Sequence, residues 1–71
     1  MTTATIRVLV NGETRHLPGG QSLLDLLRHF ELDPRAVVVE LNRAIVRRPA
    51  LETTPVQDGD AVELVHFVGG G

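Results

Sequence analysis

Residues 22–30 read Ser-Leu-Leu-Asp-Leu-Leu-Arg-His-Phe, and this stretch decides which fold the chain can adopt. Four of its apolar residues recur at i, i+3, i+4 and i+7, namely Leu23, Leu26, Leu27 and Phe30. This spacing gives a helix one apolar stripe. Ser22 precedes Asp25 by three residues, the spacing of a capping box at a helix start. We expect the helix to end at Asp33-Pro34, because a residue before proline avoids the helical conformation. A helix of about two turns is not stable alone, so it must pack against strands.

The residues before this segment predict a β-hairpin. Residues 6–10 alternate with a period of two, which is typical of a strand. Asn11-Gly12 follows at once and is a strong hairpin signal, because both residues tolerate a positive φ. Residues 13–17 would form the returning strand, which ends at Pro18-Gly19-Gly20.

The residues after the helix predict three further strands in an α+β fold. In order, we expect a strand at 37–41, a turn at Asn42-Arg43, a short strand at 44–46, an irregular connection at 49–57, a turn at Asp58-Gly59-Asp60 and a last strand from Val62. This order, with one helix packed on one face of a five-stranded mixed sheet, is the β-grasp arrangement. We expect residues 1–67 to form this domain and residues 68–71 to be a flexible glycine tail.

Composition excludes several classes of function. The chain has 71 residues, which allows one small domain, and it contains no cysteine, so it has no disulfide, thiolate metal site or cysteine nucleophile. A net charge of −2 argues against nucleic acid as a partner. No apolar run spans a membrane, and the N-terminus does not resemble a signal peptide, so we expect a cytoplasmic protein. His16, His29 and His66 do not have the spacing of metal ligands, and we expect no metal site.

Catalytic residue sets are missing from the sequence. Ser22 is better explained as a helix cap than as a nucleophile, and Asp58 and Asp60 fit ordinary turn chemistry better than an acid–base pair. We therefore expect that this chain is not an enzyme.

The end of the sequence, Val68-Gly69-Gly70-Gly71, carries the most functional information. One interpretation is a loose terminus, since chain ends are often poorly ordered. The other is a flexible segment that enters a partner, because glycines have no side chains and can pass through a narrow channel in another protein. A terminal carboxylate with a pKa of about 3.3–3.7 is ionised at neutral pH. It could attack the α-phosphate of ATP and form an acyl adenylate.

The sequence resembles the thiamine-biosynthesis sulfur carriers, the ThiS family of ubiquitin-like β-grasp proteins, over essentially its whole length. The matching stretches are Val10-Asn11-Gly12, Leu24-Asp25-Leu26-Leu27, residues 37–42, Asp58-Gly59-Asp60 and residues 65–71. The ending, His66-Phe67-Val68-Gly69-Gly70-Gly71, is the most specific, because it joins a family-typical last strand to a glycine tail.

The resemblance implies a carrier with no bound cofactor, whose own C-terminus is the substrate of partner enzymes. A ubiquitin-activating-type adenylyltransferase would use ATP and magnesium to adenylate Gly71. Sulfur from a cysteine desulfurase would then give a C-terminal thiocarboxylate, which thiazole synthase would use. Gly69 and Gly70 would lie in the partner's active site.

Several alternatives stay open at this point. The chain could carry sulfur for molybdopterin or for tRNA thiolation, could modify proteins, or could be a non-covalent β-grasp binding module. The alternation of the strands also predicts that Leu9, Val38, Val65 and Phe67 share the face of the sheet that the helix does not cover. This face is either a docking patch for the activating enzyme or a partly buried second face that serves only packing.

Overall fold

The structure, a computed structural model, describes residues 4–67. The elements in chain order are β1 (Thr5–Val10), β2 (Glu13–Pro18), α1 (Leu23–His29), a 3₁₀ turn (Pro34–Ala36), β3 (Val37–Leu41), β4 (Ala44–Val46), α2 (Arg48–Leu51) and β5 (Ala61–His66). The predicted five-stranded α+β architecture with one main helix is confirmed. Within the described residues, neither helix has the length and apolarity that crossing a membrane would require.

The five strands form one mixed sheet in the order β2-β1-β5-β3-β4. β5 lies in the centre, parallel to β1 and antiparallel to β3, while the two hairpins β1–β2 and β3–β4 form the flanks. The last strand of the chain is therefore held between the first and third strands. Phe67, the last described residue, directly follows this central strand.

The core lies between the sheet and α1. It consists of the apolar residues Val8, Val10, Leu17, Leu23, Leu26, Leu27, Val37, Val39, Leu51, Val56, Val62 and Leu64. Leu23, Leu26 and Leu27 are fully buried, as the helical spacing predicts. Phe30, the fourth member of the predicted stripe, is half-buried at the C-cap of the helix.

The capping box at the start of α1 is confirmed. The Ser22 hydroxyl accepts a hydrogen bond from the Asp25 backbone N–H at 3.1 Å, and the Asp25 carboxylate accepts one from the Ser22 backbone N–H at 3.0 Å. Two of the amide groups that a helix start leaves without partners are thereby satisfied.

The predicted end of α1 at Asp33-Pro34 is wrong, because the helix stops at His29. Glu31 adopts a left-handed φ of 59°, and the Leu32 N–H donates to the carbonyl oxygen of Leu27 at 2.9 Å. This hydrogen bond closes a Schellman-type C-cap, in which glycine is the usual left-handed residue. Asp33 instead caps the 3₁₀ turn that follows.

The expectation of an irregular connection over residues 49–57 is also incomplete, because α2 occupies its first part. Pro49 lies in the first turn of this short helix, where a proline removes no helical hydrogen bond. Leu51 is only 2% exposed and completes the core beneath β3 and β4. A short helix that buries Leu51 therefore occupies part of a segment in which Pro49 and Pro55 suggested a loop.

Candidate functional site

The end of β5 is the place where the predicted sulfur-carrying tail joins the domain. Phe67 is the last described residue, and its backbone N–H donates to the carbonyl oxygen of Ala36 at 3.0 Å. The predicted tail residues Gly69, Gly70 and Gly71 lie outside the described residues, as does the predicted flexible segment 68–71. The described residues give the geometry of β5, the strand that precedes them.

Asn11, in the turn between β1 and β2, holds β5 from one side. It has a left-handed φ of 51° and precedes Gly12, whose φ is 83°, as a two-residue hairpin turn requires. Its backbone N–H donates to the Val62 carbonyl at 2.9 Å, and its side-chain Oδ1 accepts from the Leu64 N–H at 2.7 Å. At the point where β1 ends, the Asn11 side chain thus takes the place of a main-chain carbonyl as the hydrogen-bond acceptor for β5.

Asn42 holds β5 from the other side in a related way. It lies in the turn between β3 and β4 with a φ of 50°, and Arg43 follows with a φ of 73°. Its N–H donates to the carbonyl of Ala61 at 2.8 Å, and its Oδ1 accepts from the Ala61 N–H at 3.0 Å. Two asparagines in two hairpin turns therefore fix the central strand.

The carboxylates of the Asp58-Gly59-Asp60 turn are occupied by structural hydrogen bonds. Asp58 Oδ1 accepts from the Arg7 N–H at 2.8 Å, and the Gly59 N–H donates back to the Arg7 carbonyl at 2.8 Å. Asp60 Oδ2 accepts from the Gln57 N–H at 2.8 Å. Because both carboxylates shape the turn that starts β5, the structural interpretation of this motif is the one that the geometry supports.

The structure brings together three of the four predicted docking residues. Val38 and Val65 are opposite each other on β3 and β5, and Phe67 follows two residues later on the same face. Val65 is 54% exposed and Phe67 62% exposed, while Val38 is half-buried. Leu9, 43% exposed, is paired with Ala61. This position is four residues before Val65, roughly 13 Å along the strand. Leu9 therefore lies on the predicted face but apart from the other three.

Ile45 completes the cluster in place of Leu9, and the sequence analysis missed it. It is 66% exposed, is paired with Glu40 of β3, and lines the same cleft as Val38 and Phe67. The alternation of Ala44-Ile45-Val46 in β4 could have identified it, because Val46 packs on the core. We call Val38, Ile45, Val65 and Phe67 the uncovered-face patch.

The cleft beside Phe67 has a volume of about 440 Å³ and carries positive charge. Arg35, Arg47 and Arg48 line it together with the apolar side chains. Arg35 forms an ion pair with Asp33 at 3.2 Å, and its hydrogen bonds hold the pKa of the Asp33 carboxyl below its usual value. An apolar surface rimmed by guanidinium groups fits a partner surface that combines apolar and acidic side chains.

Among residues 4–67, no three histidine, aspartate or glutamate side chains gather in a way that could hold a metal ion. The three histidines are spread over the fold. His16 lies on β2 opposite Arg7 of β1, and His66 is the last residue of β5. The His29 ring packs edge-on against the Phe30 ring, with 5.2 Å between the ring centroids.

Comparison with known proteins agrees with the family resemblance. The crystal structure of the thiamine biosynthesis protein ThiS from Geobacter metallireducens superimposes with a TM-score of 0.80 at 36% identity, covering 93% of this chain and all of that one. The sulfur carrier protein ThiS of Bacillus subtilis is 38% identical over 50 residues, which are 70% of this chain and 76% of that protein.

A similar segment also occurs inside a longer protein. The thiazole synthase of Magnetococcus marinus is 36% identical over 66 residues, which are 93% of this chain but 20% of that protein. The chain thus spans about a fifth of the length of this relative. The profile of the ThiS family matches residues 8–71, including the glycine tail. Fold, relatives and profile agree, and the chain belongs to the ThiS family.

Proposed function

We propose that this chain is a sulfur carrier in thiamine biosynthesis, and that the Gly71 carboxylate is the group that carries the sulfur. The observation that carries this proposal is the family match, which extends through the last glycine. The Bacillus subtilis relative that is named a sulfur carrier supports it. The position of β5 fits the role, because the tail follows a strand that lies between β1 and β3 in the centre of the sheet.

The chemistry needs three steps on the Gly71 carboxyl group. A carboxylate oxygen attacks the α-phosphorus of ATP, the bond to the bridging oxygen breaks, and magnesium pyrophosphate leaves. A persulfide from a cysteine desulfurase then attacks the acyl carbon and AMP leaves. A thiol of the partner then attacks the desulfurase sulfur of the resulting acyl disulfide and forms a new disulfide with it, and the thiocarboxylate leaves. Each thiol must come from a partner, because this chain has no cysteine.

The glycine tail suits this chemistry for a steric reason. Glycine has no Cβ, so three glycines can pass through a channel that would reject larger residues and can approach the groups around ATP closely. The four residues after Phe67 reach at most about 14 Å when fully extended. The adenylyltransferase must therefore bind the domain close to the end of β5.

The thiazole synthase relative supports the second half of the proposal. In the Magnetococcus marinus protein a segment similar to this chain forms part of one polypeptide with that name. Covalent linkage raises the effective concentration of two modules that act on each other. We therefore place a thiazole synthase as the acceptor of the sulfur from Gly71.

The uncovered-face patch provides the surface that docks onto the adenylyltransferase in this proposal. It combines exposed apolar side chains with the arginines of the adjacent cleft, and it includes Phe67, the last described residue. Exposed apolar groups of this kind typically mark protein contact sites. Docking through the patch would bring the tail within its reach of the ATP site.

An ATP–pyrophosphate exchange assay with the adenylyltransferase tests the first step. We expect wild-type chain to support exchange and a chain lacking Gly70 and Gly71 to support none. A Gly71→Ala variant keeps the length and the carboxylate, so it should retain measurable exchange. Wild-type chain that supports no exchange would contradict the proposal and would favour the binding-module alternative.

The protein that accepts the sulfur shows whether the carrier serves thiamine or molybdopterin synthesis. Chain that carries a thiocarboxylate should lose its sulfur when mixed with thiazole synthase and the precursors of the thiazole ring. It should keep its sulfur when mixed with the large subunit of molybdopterin synthase and its pterin substrate. The opposite result would assign the carrier to molybdopterin.

A further inference from the structure

β5 is paired on both sides over its first half only. The even-numbered residues of β5 direct their N–H and C=O groups towards β1, because the Asn11 N–H donates to the carbonyl of Val62. The odd-numbered residues face β3, because the Phe67 N–H donates to the carbonyl of Ala36. Since main-chain groups alternate along a strand, this assignment extends to Leu64 and His66.

β1 ends before it reaches these two residues. The pairing of β1 with β5 consists of Leu9 with Ala61 and Val10 with Val62, after which the chain turns away at Asn11. The Asn11 side chain accepts the Leu64 N–H. Beyond it, the Leu64 carbonyl and the His66 N–H point towards a side where no strand lies among residues 4–67.

A strand edge of this kind is a template for another extended chain. The open edge is short, it includes the exposed His66, and it is flanked on the uncovered face by exposed Val65 and Phe67. It is also the part of the sheet immediately before the tail. On the opposite side, β3 already covers β5 through Val37 and Val38.

We propose that an extended segment of the adenylyltransferase pairs with this open edge, at the Leu64 C=O and the His66 N–H. The inference rests on the proposed function, because the reach of the tail requires the partner to pass close to Phe67. The partner segment would then lie directly beside the residues that precede the tail. Its hydrogen bonds would fix the depth to which Gly71 enters the ATP site.

Amide hydrogen exchange of labelled chain, alone and with the adenylyltransferase and ATP, tests this pairing directly. We expect the His66 amide to exchange rapidly in the free chain and at least about tenfold more slowly in the complex. The Val65 amide, which faces β3, should be protected in both states and serves as the internal reference. A His66 amide that exchanges equally fast in both states would overturn the proposal.

Two variants at His66 distinguish the role of its backbone N–H from the role of its side chain. His66→Pro removes the N–H, and the β3 ladder should tolerate it because the pair formed by Val37 and His66 uses neither N–H. His66→Ala keeps the N–H. We expect the proline variant to lose about tenfold in kcat/KM for activation, mainly through KM, and the alanine variant to stay within about twofold of wild type.

A second modification controls for the possibility that the His66→Pro variant misfolds. Replacing the amide between Val65 and His66 by an ester, made by semisynthesis, removes the same N–H without adding a ring, and it should give the same loss. Equal activation of wild type, His66→Ala, His66→Pro and the ester would overturn edge pairing while leaving the carrier function intact. Wild-type chain that is not activated at all would overturn the proposed function, and this inference with it.

Discussion

The two faces of the sheet differ sharply although the same strands build both. The face under α1 carries the buried side chains of the strands, which are Val8, Val10, Leu17, Val37, Val39, Val62 and Leu64. The other face leaves four large apolar side chains exposed: Leu9, Ile45, Val65 and Phe67. Substitutions on the covered face should therefore change the free energy of unfolding, and those on the uncovered face should change binding. Variants on each side of the sheet test whether these two effects separate.

The largest effect is expected in the core under the covered face, at Leu26. Its side chain is fully buried on α1, so Leu26→Ala removes buried methyl groups and leaves a cavity. Such substitutions cost about 2–5 kcal/mol. That is a large part of the total stability of a small domain, which is about 5 kcal/mol at the lower end.

Urea unfolding monitored by circular dichroism measures this cost. Leu9→Ala is the matched control, because it truncates an exposed leucine on the other face and should change stability by at most about 0.5 kcal/mol. Equal losses in the two variants would contradict the separation of the faces.

A smaller effect is expected at Asn11, which joins the first hairpin to β5. Asn11→Gly keeps the positive φ but removes the oxygen that accepts the Leu64 N–H. Leaving a buried donor unpaired costs about 1–3 kcal/mol. The same unfolding experiment measures it, and Asn11→Asp, which retains an acceptor oxygen, should recover much of the loss. An Asn11→Gly variant as stable as wild type would show that water replaces the amide without cost.

On the uncovered face, Phe67→Ala should change binding and not folding. The ring is 62% exposed, so its removal should alter stability by at most about 0.5 kcal/mol. In the uncovered-face patch, loss of an aromatic contact should weaken adenylyltransferase binding by about tenfold, or about 1.4 kcal/mol.

Isothermal titration calorimetry measures this affinity, with Leu9→Ala as the control on the same face. Leu9 lies outside the uncovered-face patch, and its truncation should leave the affinity unchanged. Equal weakening by both variants would extend the docking surface across the whole sheet, and no weakening by Phe67→Ala would remove the patch from the interface.

The smallest effect is expected at Asp33, an exposed carboxylate beside the cleft. Its hydrogen bonds with Arg35 lower its pKa in the folded state, so its ionised form stabilises the fold. This contribution is present above the unfolded pKa of about 3.9 and is lost as the pH falls through the lower folded pKa. Asp33→Asn should lower the melting temperature slightly at pH 7 and not at all at the acidic end of a pH series. A difference that persists at low pH would assign the effect to the cap instead of the charge.

Sequence periodicity predicts the strands and the start of α1 because alternation and a capping box are local signals. The end of α1 and the presence of α2 were not predictable in the same way. Glu31 adopts a left-handed conformation usually reserved for glycine, and α2 forms because the fold can bury Leu51. Tertiary packing overrides local preference at both places.

The sequence predicts most of the residues of the candidate site but not their positions relative to one another on the sheet. Alternation identifies Leu9, Val38, Val65 and Phe67 as residues of one face, yet only the register of β1 against β5 separates Leu9 from the rest. Register depends on contacts between distant residues, which one sequence does not reveal. The open edge beyond Asn11 depends on the same register.

The intact mass of the chain after incubation with its adenylyltransferase, ATP, magnesium and a persulfide donor tests the role of Gly71 most directly. Fragmentation of the product locates the C-terminal residue and any change on it. We predict a product in which one sulfur replaces one oxygen on Gly71, formed only when ATP is present. An unchanged Gly71 under conditions in which the enzyme is shown to be active would contradict the proposal that this chain carries sulfur.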